Sequence, residues 1–252
     1  MAGTHPPGAA SRPGRGAAAR SGHPAGTGAA ERDSAGGWLL RFDRVERVVH
    51  WLNASLFALL VLTGAALYLT PLQSLIGRRE LVETVHVYAG MALPLPVLAA
   101  LSGSWGRGLR ADLARINRWS AEDRRWLRSG GRGGARRGTG VRWRLGKFNP
   151  GQKLNAAFSA GAGLVMLGTG CLLRWYRPFP LDWRVGATFV HNWLALLFVV
   201  VVAGHVILAV SDRDAMGSML TGRIDVSWAA THAPAWLDEE AGTGAPARER
   251  SR

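Results

Sequence analysis

Four long apolar runs dominate the hydrophobic pattern of the chain. They lie near residues 48–70, 83–103, 154–173 and 187–210, and none shows the helical or strand alternation of a soluble core. A helix needs roughly 20 residues to cross a hydrocarbon core about 30 Å thick. The pattern therefore predicts an all-α integral membrane protein, a bundle of four transmembrane helices.

The polar segments outside these runs differ in composition. Residues 1–36 consist almost wholly of Gly, Ala, Pro, Ser, Thr and Arg, which predicts a disordered arm, because such a segment buries too little apolar surface to offset ordering entropy. The membrane domain is predicted over 37–235, with a long loop at 104–153, and a disordered tail over 236–252.

The long loop and the second run carry further local signals. Apolar residues among charges predict an amphipathic interfacial helix over 109–128, and Ser129–Gly140 (SGGRGGARRGTG) predicts a flexible insert. Pro94 and Pro96 predict that the second helix is kinked or locally unwound. No strand pattern competes with the helices.

The basic residues are concentrated on one side of the predicted helices. Of 31 Lys and Arg, seven precede the first run, fourteen lie between the second and third, and five follow the fourth, which leaves five for the other side. Cytoplasmic loops carry such an excess, so both termini and the long loop are predicted to be cytoplasmic. Topology accounts for the net charge of +14, and no nucleic-acid partner is predicted.

Four of the seven histidines lie inside or at the ends of the runs: His50, His86, His191 and His205. An ionisable group at membrane depth normally faces a partner, a cofactor or a water-filled path. His191 and His205 are 14 residues apart, hence about 21 Å apart along one helix and about 40° apart around it. With the amino terminus inside, the helix directions predict two pairs at matched depths: His86 with His191 towards the outside, and His50 with His205 towards the inside.

Each pair has the arrangement that a planar haem needs, one imidazole on either side of its iron. Gly64 follows His50 by 14 residues, so it lies on the His50 face at the depth of the outer pair, where a missing side chain lets a macrocycle approach. The glycines of the third helix (Gly161, Gly163, Gly168 and Gly170) are explained at least as well by close helix packing. Two haems with four histidine ligands are predicted.

Non-haem functions, a metal transporter or a proton relay, are the competing interpretations. Transported metals generally need carboxylates or thiolates beside imidazole, whereas the runs contain almost no acidic residue apart from Glu83 at a boundary. Zinc would also gather its ligands into one site. The only cysteine, Cys171, excludes a disulfide within the chain and an iron–sulfur cluster.

Several motifs stand in register with the histidines. They are RFDRVERVVHW at Arg41–Trp51, His86 followed by Gly90, KFNPGQK at Lys147–Lys153, and MLTGRI at Met219–Ile224 followed by Trp228 and Pro234. Over residues 40–238 they resemble the cytochrome b556 (γ) subunits of respiratory formate dehydrogenases. The KFNPGQK loop is the most specific part, since a histidine pair alone also fits hydrogenase and thiosulfate reductase cytochromes.

The resemblance implies two haems b with the pairings given above, and a quinone site beside the inner haem. Asn149, Gly151 and Gln152 match the loop that borders this site, and their amides could bind a quinone oxygen close to His205. A plain turn before the third helix explains the same residues. Arg47 and Lys153 are placed to neutralise haem propionates, although the positive-inside rule explains them equally.

The resemblance also implies a role in a complex. The chain would carry electrons from an iron–sulfur β subunit, itself served by a molybdenum or tungsten α subunit, through both haems to menaquinone or ubiquinone in the bacterial cytoplasmic membrane. It would be the quinone-reducing subunit of an oxidoreductase, with no formate-oxidising site of its own. The alternatives are the cytochrome of another quinone-reducing complex or a non-haem transporter.

Overall fold

The computed structural model describes residues 37–130 and 143–242. The predicted arm at 1–36, residues 131–140 of the predicted insert with the two residues after them, and residues 243–252 of the predicted tail lie outside the described residues.

Four long apolar helices occur where the hydrophobic runs predict them. They are α1 (Arg44–Tyr68), a second helix in two pieces (79–102), α7 (Pro150–Arg174) and α8 (Leu181–Ser211); the short helix α2 (Thr70–Ile76) follows α1. The helices are 24 to 31 residues long and each contains an 18-residue window with a mean hydropathy of 1.6 to 2.7, which suits membrane spans. Large side chains on their outer faces stay exposed, as Leu164 at 70% and Leu208 at 74% show. Such an apolar surface requires lipid around it.

The second helix is interrupted where its prolines predict. It consists of α3 (Arg79–Ala92) and α4 (Leu95–Ser102), with Pro94 at the break and Pro96 in the first turn of α4. Proline has no N–H for the carbonyl four residues earlier and its ring clashes with that carbonyl, so the helix restarts after Pro94.

The bundle is built from two helical hairpins. α1 packs against α3, and α7 packs against α8, with α3 also touching α7. At mid-length, Phe198 of α8 is 8% exposed and packs against Phe57 of α1, with ring centroids 4.8 Å apart, and Phe158 of α7, at 5.5 Å. This aromatic layer joins the two hairpins.

One end of the bundle, where α1 and α7 begin and α4 and α8 end, carries most of the polar segments and is called the basic end below. The predicted amphipathic helix over 109–128 is wrong as a single element: it forms α5 (Arg107–Asn117) and α6 (Ala121–Arg128). The break arises because the Ser120 hydroxyl accepts from Asp123 N–H at 3.0 Å while the Asp123 carboxylate accepts from Ser120 N–H at 2.8 Å, a capping box that begins a new helix.

The prediction that the chain has no strands is also wrong in one detail. β1 (Trp38–Leu40) pairs antiparallel with β2 (Arg223–Asp225), which follows α9 (Arg213–Thr221). Strands of three residues are too short to show an alternating pattern. The pairing joins the segment before α1 to the segment after α8 at the basic end.

The segment after β2 folds further than predicted. It forms α10 (Val226–His232) and α11 (Pro234–Gly242), so residues 236–242, assigned by composition to a disordered tail, are helical. The reason is Trp236, which is 1% exposed in a small core with Ile224, Ala229 and Ala233. One buried indole supplies the apolar area that the composition of the tail as a whole does not indicate.

Buried ion pairs fasten the basic-end segments to one another. Lys147 lies 2.5 Å from Asp112 of α5, and Arg115 lies 3.0 Å from the same carboxylate. Arg41, before α1, is 3% exposed and its guanidinium stacks over the Trp228 ring at 4.4 Å. Burial lowers the pKa of Arg41 to about 10, which leaves it charged at neutral pH.

Candidate metal centres

The predicted inner pair of histidines meets at the basic end of the bundle. His50 lies in the second turn of α1 and His205 lies in the last two turns of α8. Their ring centroids are 6.5 Å apart and the ring planes make an angle of 64°. The structure therefore brings these two residues together across the bundle.

The predicted outer pair meets in the same way at the other level. His86 of α3 and His191 of α8 have ring centroids 6.4 Å apart and an interplanar angle of 66°. Phe198 lies seven residues from each histidine of α8, so the aromatic layer of Phe57, Phe158 and Phe198 separates the two levels.

The spacing within each pair fits two imidazoles on a single metal ion. A metal–imidazole bond is about 2.0–2.1 Å and a ring centre lies about 1.1 Å behind its nitrogen, so two opposed rings on one ion have centroids roughly 6.3 Å apart. Each ring plane contains the common axis, and a twist of 64° or 66° between planes is compatible with this geometry. Within residues 37–130 and 143–242, no direct hydrogen bond joins the rings of either pair.

Thr63 orients the imidazole of His86. Its Oγ1 is 2.7 Å from the Leu59 carbonyl and 2.9 Å from His86 Nδ1. A carbonyl can only accept, so we assign the hydroxyl hydrogen to Leu59, which leaves the Thr63 oxygen to accept from the Nδ1–H of His86; the Leu60 backbone is a further hydrogen-bond partner of this ring. The proton is then on Nδ1, and Nε2 is the nitrogen available to a metal.

Thr169 does the same for His191. Its Oγ1 donates to the Val165 carbonyl at 2.8 Å and accepts from His191 Nδ1 at 2.8 Å. Neither threonine was predicted from the sequence. The signal that could have found them is that each directly precedes a glycine, at Gly64 and Gly170, in an apolar helix.

The two glycines make room for the same rings. A Cβ atom at Gly64 would lie 3.4 Å from Cε1 of His86, and one at Gly170 would lie 3.4 Å from Cε1 of His191. Gly64 is therefore at the level of the outer pair, and Gly170 is its counterpart on α7. A Cβ at Gly161, Gly163 or Gly168 would meet no atom within 4 Å in the described part of the chain, so helix packing within the chain does not explain these three.

The two basic residues predicted near propionates have different surroundings. Lys153 is buried, with Nζ 2.7 Å from Asp123 Oδ2 and 2.7 Å from the Arg118 carbonyl. Although burial opposes ionisation, Lys153 and Ser120 hold the pKa of Asp123 below its ordinary value. Asp123 therefore neutralises the charge of Lys153.

Arg47 lies instead on an open groove of about 520 Å³ at the basic end. It donates hydrogen bonds to the carbonyls of Leu220 and, at 3.4 Å, Asp43. Arg44 also lines the groove, and apolar residues form most of its other walls: Val48, Trp51, Leu52, Met219 and Leu220. A cationic rim beside an apolar wall suits an amphipathic molecule with an anionic end.

The predicted quinone loop forms the N-terminal cap of α7. Asn149 Oδ1 accepts from Gln152 N–H at 2.9 Å, and Gln152 Oε1 accepts from Asn149 N–H at 2.9 Å, with Gly151 between them in the first turn. These residues therefore form a structural cap at the start of α7. The side-chain NH₂ groups of Asn149 and Gln152 have no partner in the described residues, where no hydrogen bond joins either amide to His205.

Comparisons with known proteins identify a family and several relatives. The model of a family described as prokaryotic cytochrome b561 matches residues 41–222. The cytochrome b556(fdo) subunit of formate dehydrogenase from Escherichia coli K12 is 24% identical over 209 residues, which cover 80% of this chain and 92% of that protein. The nitrate-inducible cytochrome b556(Fdn) subunit of the same strain is 23% identical over 212 residues, covering 80% and 91%. All four histidines of the two pairs lie within the range 41–222 that the family model matches.

Proposed function

The chain belongs to the prokaryotic cytochrome b561 family, and we propose that it is a membrane cytochrome subunit that carries electrons across the bilayer to quinone. The observation that carries this proposal is the pair of matched imidazole sites, with centroid spacings of 6.4 and 6.5 Å. The family implies haem b. We assign two haems b, one to His86 and His191 and one to His50 and His205.

The ligands favour electron transfer over substrate chemistry. Haem b supplies one-electron exchange between ferric and ferrous iron when it is bound. Two histidines at each site would both be taken up in holding the haem, which would leave no open position on its iron for a substrate. Gly64 and Gly170 keep the outer site open beside the rings, and Thr63 and Thr169 fix the ring orientation.

The uneven distribution of basic residues gives the orientation of the chain in the membrane, and hence the direction of electron flow. Because 26 of the 31 Lys and Arg lie before the first apolar run, between the second and third, or after the fourth, the basic end and both termini are assigned to the cytoplasm of a bacterial inner membrane. His86 and His191 then lie near the outer surface, where an iron–sulfur partner would donate electrons. His50 and His205 lie near the cytoplasmic surface.

We place quinone reduction at the cytoplasmic site, beside His205 and the α7 cap. The capping box holds the oxygens of Asn149 and Gln152 against the backbone, which leaves their NH₂ groups to donate to a quinone oxygen, and Gly151 adds no side chain. Arg47, on the rim of the groove, is the candidate for a haem propionate. Lys153 is left out of this role because Asp123 already neutralises it.

The relatives suggest which complex is involved. Their names place them in formate dehydrogenases. We propose the same kind of complex here, with an iron–sulfur subunit and a molybdenum or tungsten subunit as partners, and a hydrogenase-type or thiosulfate reductase-type complex as the second possibility. A metal transporter is disfavoured, because residues 37–130 and 143–242 contain no group of three or more His, Cys, Asp or Glu side chains placed to hold a metal ion.

Haem content per chain tests the assignment. The purified protein should give a reduced-minus-oxidised b-type spectrum and two haems per chain, and His86→Ala or His50→Ala should each remove one of them. The matched control is His232→Ala, since His232 is exposed on α10 and stacks on Trp228 away from both pairs. A colourless protein, or unchanged haem content in both variants, would overturn the proposal. Copurification of a molybdenum or tungsten subunit tests the choice of complex.

A further inference from the structure

We propose that Thr63 and Thr169 lower the reduction potential of the outer haem and thereby set it apart from the inner one. The inference rests on the proposed function only in that it takes a haem to be bound at each histidine pair.

The two threonines form matching contacts from the two hairpins. Thr63 on α1 reaches a histidine of α3, and Thr169 on α7 reaches a histidine of α8. In each, the single hydroxyl hydrogen is taken by the carbonyl four residues earlier, at 2.7 and 2.8 Å. Each oxygen can therefore act on the imidazole only as an acceptor.

An acceptor on Nδ1–H changes how strongly the other ring nitrogen donates to iron. Withdrawing the proton slightly from the ring raises the basicity of the ligand, and a more basic ligand stabilises ferric iron more than ferrous iron. Both histidines of the outer pair have this contact. The two threonines should therefore favour the oxidised form of the outer haem and lower its potential.

The inner pair lacks the corresponding contacts. Among the residues that the structure describes, neither ring of His50 or His205 has a hydrogen-bond partner. The two ligand pairs therefore differ, because both rings of the outer pair have a threonine oxygen on Nδ1. A lower reduction potential at the outer haem favours electron flow from the outer site to the inner one. Quinone reduction at the basic end requires this direction.

Potentiometric titration of Thr63→Val and Thr169→Val in the full chain tests the proposal. The two midpoints are assigned beforehand with His86→Ala and His50→Ala. At the native midpoint of the outer haem, each valine should change the ratio of reduced to oxidised haem from one to about three to ten. For one electron this is a rise of roughly 30–60 mV. The inner midpoint should not move, and Thr63→Ser, which keeps the hydroxyl, should restore the native value.

The chain offers matched controls in Thr84 of α3 and Thr188 of α8. Each donates to the carbonyl four residues earlier, at 2.7 and 2.9 Å, is exposed and touches no histidine. Thr84→Val and Thr188→Val therefore lose the same backbone bond without the imidazole contact, and should leave both midpoints unchanged.

The outcomes separate this inference from the proposed function. Native protein without two b-type midpoints contradicts the proposed function itself. Two native midpoints with no selective rise of the outer one, or an equal rise in the control variants, overturn the role of the threonines alone. If the valine variants lose the outer haem, the same titration of Thr63→Ala and Thr169→Ala shows whether the midpoint of the outer haem rises. Loss of the outer haem in the alanine variants as well would show that the hydroxyls serve binding and would refute the proposed control of potential.

Discussion

The buried ion pair between α6 and α7 predicts how much one carboxylate contributes to the basic end. Lys153 Nζ lies 2.7 Å from Asp123 Oδ2, and the two side chains are only 7% and 2% exposed. Asp123→Asn keeps the shape and removes the charge, which leaves a buried ammonium with the Arg118 carbonyl but no counter-ion. α6 should then detach more readily from the first turn of α7.

The magnitude follows from the contacts that remain. Removing one partner of a buried ion pair destabilises by about 3–5 kcal/mol. The lower end of this energy range applies to Asp123→Asn, because the amide oxygen of the introduced asparagine would still accept from the Ser120 N–H. That N–H lies 2.8 Å from Asp123 Oδ2 in the native chain. About 3 kcal/mol corresponds to a change of roughly 150-fold in the opening equilibrium of α6.

Hydrogen exchange of the full chain in lipid nanodiscs, followed by mass spectrometry, measures this opening. Peptides covering Ala121–Arg128 should exchange about 100-fold faster in Asp123→Asn. The control is Glu122→Gln on the same helix. Glu122 pairs with Arg125 at 2.5 Å, but these side chains are 29% and 60% exposed, so its loss should change exchange by less than about fivefold.

A double substitution distinguishes the cost of leaving one buried charge unpaired from the contribution of the ion pair as a whole. Asp123→Leu with Lys153→Met removes both charges and fills the space with apolar groups, which is often neutral for stability. Exchange in α6 should return close to the native rate. Equal effects of Asp123→Asn and Glu122→Gln, or a double variant as unstable as the sum of the single substitutions, would refute the reasoning.

Two further predictions concern pH and space. Although burial opposes ionisation, Lys153 and Ser120 hold the pKa of Asp123 below its ordinary value of 3.8. The protection of α6 against hydrogen exchange should therefore persist above pH 3.8 and be lost as the pH falls through the lowered pKa. Exchange measured over a pH series checks this, and Asp123→Asn should abolish the dependence; an unchanged acid midpoint would contradict it. Gly170→Val places a branched side chain against Cε1 of His191, where even a Cβ would be at 3.4 Å, and should remove the outer haem absorbance. The control is Gly186→Val on α8, where a Cβ would meet no atom within 4 Å, and this variant should keep the outer haem. Retention of both haems in Gly170→Val would refute the role of Gly170.

The features that sequence predicted are those with a signal along one helix. Long apolar runs gave the four spans, and prolines gave the break at Pro94. The pairing of His50 with His205 needed only the directions of the helices and the 14-residue spacing of α8, since depth in a membrane is a one-dimensional coordinate.

The features that sequence did not predict depend on contacts between distant segments. Thr63 and Thr169 resemble any threonine that bonds its own helix backbone, and only the neighbouring histidine distinguishes them. Lys153 was predicted by its charge to face a propionate, but Asp123, 30 residues away, neutralises it. Both three-residue strands lack a periodic signal, and the helicity of 236–242 depends on one buried indole, Trp236.

The position of α8 in the chain has a consequence for biogenesis. It is the last of the four long helices to leave the ribosome, and it supplies one histidine to each pair. Neither pair can therefore form while the chain is still being inserted helix by helix, and the β1–β2 pairing also waits for residues beyond α8. A truncated or stalled chain would contain His50 and His86 without their partners, so a cofactor held as proposed would load only onto chains that have completed α8.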